Sequence, residues 1–311
     1  MKSWFQKTVF DFDDWFKDAR NNNFKSDKHI QIENDIAYGE DEICKLDLYI
    51  PEIADGQKHI VLFNIHGGGW ITGDKYKRRG LGMLYADMGF FVVNINYGIS
   101  PQYQYHQSVK HCYEALQWVQ DNAEKYNLDT HNLFVTGDSA GGQLACLMLA
   151  TQDNMEFRHS LGIEDSDARF RSGILCCGAY DIDAMATNKL ASSIILDMTG
   201  KTPKKLDTYP YYAQLRTLDW VDENFPQDVI ITYGKHDVFV GGHEKGLTAK
   251  LDQLGKRYFL YGAPFPGDHC YHLYYHRQIS KVFYDMVREY FDQIRKTGKV
   301  ENLVVSPIKQ D

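Results

Sequence analysis

The segment Gly137-Asp138-Ser139-Ala140-Gly141-Gly142 constrains this chain more than any other stretch. Before it runs Asn132-Leu133-Phe134-Val135-Thr136, which is apolar and β-leaning. After it runs Gln143-Leu144-Ala145-Cys146-Leu147-Met148-Leu149-Ala150, helix formers without a breaker. A G-x-S-x-G pattern between a strand and a helix folds as a sharp turn that lifts the serine out at the carboxyl end of the strand. Glycine is required where strand and helix approach too closely for a Cβ. Alone, the pattern arises in any Gly/Ser-rich loop. The strand-turn-helix setting makes Ser139 a candidate nucleophile in preference to a structural turn residue.

A second motif points the same way. Ile60-Val61-Leu62-Phe63-Asn64-Ile65 reads as a buried strand and runs directly into His66-Gly67-Gly68-Gly69-Trp70. A glycine run after a strand presents backbone N–H groups that no side chain shields. Such donors stabilise the anionic oxygen of a tetrahedral intermediate, each worth about 3–4 kcal/mol. A phosphate loop is the competing reading, but no Gly-Lys-Ser/Thr follows and no G-x-G-x-x-G is present.

Together, His66-Gly67-Gly68-Gly69 and Gly137-Asp138-Ser139-Ala140-Gly141-Gly142 resemble the hormone-sensitive lipase-like carboxylesterase branch of the α/β-hydrolases. Asn96-Tyr97-Gly98-Ile99-Ser100-Pro101 is similar to that branch's Tyr-Arg-x-x-Pro segment, with Gly98 where arginine is usual. The resemblance extends from about Lys45 to Ile294. It implies an ester-hydrolysing enzyme whose site is covered by a cap.

The expected order of the remaining groups is serine, then acid, then histidine. Asp228-Val229-Ile230-Ile231-Thr232-Tyr233-Gly234 is a strong strand, and Lys235-His236-Asp237-Val238 leaves its end, where the resemblance places the carboxylate. Asp237 is the candidate; Asp219, Asp222 and Glu223 precede the strand and read as a solvated face. His269 and His272 both sit on the loop after the next strand. His269 is preferred because it follows the turn Pro266-Gly267-Asp268 and its His-x-aromatic continuation matches the family pattern. His269, His272 and His276 are also spaced as metal ligands on one helical face, but no Cys or Glu cluster nearby completes a set, and no metal is expected.

At 311 residues the chain suits one large α/β domain with an accessory cap; no linker or repeat divides it. A net charge of −8 argues against a nucleic-acid partner, which needs a basic stripe. Cys44, Cys112, Cys146, Cys176, Cys177 and Cys270 lack metal-ligand spacing and read as buried free thiols in a reducing compartment. Asp11, Asp13 and Asp14 interrupt any signal-peptide core, and no apolar run is long enough to span a membrane. The expectation is a cytoplasmic enzyme without membrane insertion.

Phe5, Val9, Phe12 and Phe16 recur at helical spacing and predict an N-terminal helix that packs on the body or roofs the pocket. Strands are then expected at His29–Ala37 and Cys44–Ile50 as a hairpin, followed by Ile60–His66, Phe90–Tyr97, Leu133–Gly137, Gly173–Cys177, Val229–Gly234 and Tyr258–Tyr261. Between them fall helices at Leu81–Met88, His106–Lys125, Gln143–Ala150, Gly242–Leu254 and Arg277–Arg295. This alternation demands a mainly parallel twisted sheet with helices on both faces. The 181–225 stretch exceeds what a crossover needs, and with about residues 1–25 it is expected to form the cap. Asp153–Arg171 reads as a solvated peripheral loop. The last strand leaves an edge through which a homodimer could form.

The expected chemistry is ester hydrolysis through an acyl-enzyme on Ser139, with His269 as base, Asp237 orienting it, and the N–H groups of Gly68, Gly69 and Ala140 receiving the oxyanion. No cofactor is expected. Trp70 and Tyr271 are the candidate substrate contacts, and the missing amphipathic lid predicts short acyl groups, acetyl among them. An amidase or formamidase using the same serine, and a non-catalytic small-molecule receptor, are the alternatives. His66 is expected to shape its loop, and an unperturbed His269 would set the acid limb of activity near ~6.5.

Overall fold

The computed structural model describes residues 24–188 and 191–303, so the aromatic helix expected near the amino terminus lies outside the described residues. Eight strands form one sheet in the order β1-β2-β4-β3-β5-β6-β7-β8: β1 Ile30–Ala37, β2 Lys45–Pro51, β3 His59–Ile65, β4 Phe91–Ile95, β5 Leu128–Asp138, β6 Ser172–Cys176, β7 Val229–Gly234 and β8 Tyr258–Ala263. The hairpin β1–β2 is antiparallel and β2 joins β4 antiparallel; every pairing from β4 to β8 is parallel. Each strand predicted from apolar patterning is present.

Period-two alternation explains why the sheet is buried on both faces. Val61, Phe63 and Ile65 enter one apolar cluster with Val93, Ile95, Val135 and Ile231. Leu62 enters the other, with Val92, Phe134, Ile174 and Ile230. The helix Gln278–Thr297 supplies that second face with Ile279, Val282, Phe283, Met286, Val287, Tyr290, Phe291 and Ile294, alternating steps of three and one that make a single stripe. It stops at Gly298, whose φ of 71° terminates the helix in the left-handed region.

Register places the site. Ile65 pairs with Gly137, Asp138 with Cys176, and Cys176 with Thr232. The carboxyl ends of β3, β5, β6 and β7 therefore lie side by side, the edge at which open parallel sheets carry their chemistry. The stretch between β6 and β7 holds the helices Ile182–Thr187, Ser192–Thr199 and Tyr212–Leu215. Its Ile194, Ile195, Met198, Leu206 and Leu215 join the first core cluster.

Asp153–Arg171 departs from expectation. It contains the helix Met155–Ser160, and Phe157, Arg158 and Phe170 are buried. Arg158 sits 1% exposed, donating to the carbonyls of Gln152 and Ser166, while Phe157 packs edge-on against Trp220 at 4.8 Å. Charge counting took that arginine for solvent-facing; backbone carbonyls take up its two terminal nitrogens inside.

Candidate active site

Ser139 adopts φ 56° and ψ −116°, a conformation a non-glycine residue holds only when its surroundings enforce it. The enforcement is visible. Ser139 N–H donates to the Cys176 carbonyl at 2.9 Å, and the helix Ala140–Thr151 starts immediately behind. A Cβ on Gly141 would sit 2.1 Å from the Ile65 carbonyl oxygen, so only glycine lets the helix seat against β3.

His269 bridges the other two groups. Its Nε2 lies 2.9 Å from Ser139 Oγ and its Nδ1 2.6 Å from an Asp237 carboxylate oxygen. The other Asp237 oxygen accepts the N–H groups of Phe239 and Val240 at 2.9 and 3.0 Å. These bonds hold the carboxylate below its ordinary range: burial opposes ionisation, and the imidazole and the two amides outweigh it. Burial likewise disfavours a charged His269, yet the imidazole ends well above its usual value with Asp237 and Cys270 beside it. The Cys270 thiol is itself pushed well up by burial and so stays neutral, which leaves Asp237 as the effective cause. His272 is not part of this chain of bonds. It is buried, and its carbonyl accepts from Tyr284.

The glycine loop lies against the same turn. Gly68 and Gly69 have φ of 127° and 61°, and the Gly68 carbonyl accepts the N–H groups of Ile71 and Thr72. Ala140 is the first residue of its helix, so no carbonyl one turn back can take its N–H. His66 is buried, stacked on Tyr97 at 4.4 Å with Nδ1 2.8 Å from the Gly67 carbonyl, and burial lowers its pKa. Ile194 reaches over the loop: its Cδ1 is 3.3 Å from where a Cβ on Gly69 would be.

The two aromatic candidates are placed differently from the rest. Trp70 is buried, with Nε1 donating to Gln143 Oε1 at 3.2 Å. Tyr271 is fully buried in the second core cluster, its hydroxyl 2.5 Å from Thr232 Oγ1. In these positions both pack the protein, and neither presents a surface to a ligand; their aromatic character and nearness in sequence to Gly69 and His269 could not distinguish wall from core.

Sequence reasoning missed Arg78 and Gln143. Gln143 Nε2 donates to Tyr105 Oη at 2.7 Å and to Thr217 Oγ1 at 2.6 Å, joining the helix behind Ser139 to the β6–β7 insertion. Arg78 grips Asp138 with two bonds of 2.8 Å. Neither residue belongs to a spaced motif that could have revealed it.

Among the described residues, Asp41, Cys44 and His111 bring ligand-type atoms within 4.8 Å of one another. His111 Nδ1 accepts the Gly98 N–H at 2.9 Å, so Nε2 carries the proton and donates to Asp41 at 3.0 Å. That tautomer offers no lone pair to a cation. Burial holds the Cys44 thiol up at about 11. The cluster is a hydrogen-bonded packing site.

Residues 46–250 match the family BD-FAE, more than half of the chain. The chain belongs to the BD-FAE family. Among curated relatives it is 27% identical over 235 residues to "Probable carboxylic ester hydrolase LipM" of Mycobacterium tuberculosis, covering 74% of this chain and 54% of that protein. It is 31% identical over 128 residues to "Isoprenylcysteine alpha-carbonyl methylesterase ICME" of Arabidopsis thaliana, covering 41% and 30%. The match thus spans about half or less of these relatives' length. Esterase B of Lactobacillus rhamnosis, solved with a tributyrin phosphonate, superposes with a TM-score of 0.79 at 20% identity over 94% of this chain and 95% of that one. The fold of this BD-FAE member is that of an α/β-hydrolase. No helix among the described residues is long and apolar enough to cross a membrane.

Proposed function

We propose that the chain is a serine carboxylesterase acting on short-chain acyl esters of small molecules. The observation that carries this reading is the unbroken chain Ser139 Oγ, His269 Nε2, His269 Nδ1, Asp237 at 2.9 and 2.6 Å. Ser139 attacks the ester carbonyl as His269 takes its proton; Asp237 fixes the tautomer and stabilises the imidazolium. The N–H groups of Gly68, Gly69 and Ala140 receive the oxyanion. His269 then protonates the departing alcohol and activates the water that releases the acid. Relatives named as ester hydrolases support the reaction class.

The short-acyl reading, acetyl included, rests on the site's immediate walls. Ile194 overhangs Gly69, and Phe239 lies with its ring 5.4 Å from that of His269. Initial rates across p-nitrophenyl esters from acetate to laurate, for wild type and Ser139→Ala together, test both parts. The expected profile peaks between acetate and butyrate, and the variant loses about 10⁴-fold or more in kcat. Activity that survives the substitution would sink the serine mechanism. A maximum at laurate would remove the short-acyl assignment alone.

A further inference from the structure

We infer that Arg78, acting through Asp138, is a positioning residue that fixes the two halves of the oxyanion hole relative to each other; the inference rests on the esterase reading above. Those halves come from separate segments. Gly68 and Gly69 belong to the loop after β3, Ala140 to the turn after β5. An oxyanion bound between them needs both sets of donors held to within about 0.5 Å.

Asp138 is where the segments meet. It is the last residue of β5, directly before Ser139, and is 2% exposed. One carboxylate oxygen lies so close to the glycine loop that a Cβ on Gly67 would come within 2.3 Å of it. The same oxygen is 3.9 Å from the thiol of Cys270, the residue after His269. A carboxylate buried among three turns needs a fixed partner, and Arg78 provides it with Nε on one oxygen and Nη2 on the other, both at 2.8 Å. Arg78, itself 3% exposed, ends the short 3₁₀ turn Lys75–Arg78 that follows the glycine loop. One planar fork therefore joins the far end of the oxyanion loop to the base of the nucleophile turn. Bidentate geometry matters here because a fork fixes orientation as well as distance, which a lysine ammonium cannot do. The pair also counters the strain at Ser139, whose positive φ begins one bond beyond the anchored residue.

The test uses the full chain as wild type, Arg78→Lys, Arg78→Met and Asp138→Asn. Each is measured for kcat and KM on p-nitrophenyl butyrate, per mole of protein folded by circular dichroism, and for labelling of Ser139 by a fluorophosphonate. Arg78→Met and Asp138→Asn are expected to lower kcat about 10²-fold with KM changed by no more than about threefold. Arg78→Lys, which keeps the charge and loses the fork, is expected to recover about tenfold of that loss. Asp138→Asn preserves the side-chain size, so its kcat decides the matter if Arg78→Met does not fold. Folded variants with a lowered melting temperature and wild-type kcat would overturn the inference. Wild-type protein that neither turns over ester nor takes the label would instead defeat the esterase reading, and this inference with it, before any variant is compared.

Discussion

The proposed reaction requires a neutral His269, while its surroundings favour the charged form. Burial opposes the charged form, and Asp237 at 2.6 Å works against it to raise the imidazole above its ordinary value. The acid limb of kcat/KM is therefore expected above the ~6.5 of a free histidine, with activity falling as pH drops through it. Asp237→Asn removes the counter-charge, so its limb should move to lower pH while kcat falls about 10⁴-fold through the wrong tautomer. A pH-rate profile of both proteins checks this, and limbs that coincide would contradict it. Stability runs the other way: a raised histidine contributes fully below its unfolded value, and that contribution disappears as pH rises through the folded one. The residues that make this site were legible as candidates, because Ser139 and the glycine run sit in spaced motifs. The upward shift of His269 was not, since it depends on a carboxylate 32 positions away whose distance no pattern encodes.

At the scale of elements, the strands and main helices were readable from period and breakers, because a sheet buried on both faces leaves long apolar runs. What escaped was whatever depends on how turns meet. Arg158 carries charge in a stretch that patterning assigns to solvent, and Arg78 stands in no motif, yet both are buried, Arg158 against the carbonyls of Gln152 and Ser166 and Arg78 against Asp138. Trp70 and Tyr271 show the converse, with sequence adjacency to the site and burial away from solvent. The turn around Ser139 gives the sharpest test of this packing. A Cβ on Gly141 meets backbone, the Ile65 carbonyl at 2.1 Å, and no rotamer can relieve that clash. Gly141→Ala is expected to destabilise by about 3 kcal/mol or more, because helix and strand must separate. Chemical denaturation measures it, and a midpoint within error of wild type would refute the close seating of the helix on β3.

Across the molecule, the antiparallel hairpin is tied by one buried lysine to the turn that leads to Arg78. Lys75, 7% exposed, bonds Asp47 of β2 at 2.6 Å and Asp35 of β1 at 2.7 Å. Its N–H donates to Asn96 Oδ1, and its carbonyl accepts from Asn94, which in turn accepts from Asn64 of β3. Lys75 also opens the 3₁₀ turn that ends at Arg78, so the hairpin steadies the loop that Arg78 anchors. Burial alone would lower the lysine pKa; the two carboxylates reverse that and raise it. Its contribution is thus fully present below the unfolded lysine value near ~10.4 and is lost only as pH rises through the folded one, so the tie should not weaken across neutral pH. Lys75→Met strands the Asp47 carboxylate in the interior and should cost about 3–5 kcal/mol, since removing one partner of a buried pair leaves an uncompensated charge. For a domain of this size that corresponds to a melting temperature lower by about 5–8 °C. Lys75→Met combined with Asp47→Leu replaces both charges with apolar groups and should recover most of the loss. Calorimetry of the two variants at low and high salt distinguishes a buried tie from a surface one: a buried pair is screened little, so the deficit of the single variant should persist in high salt. A deficit that vanishes with added salt, or a double variant no more stable than the single, would mean that the hairpin and the turn leading to Arg78 are held together by packing alone.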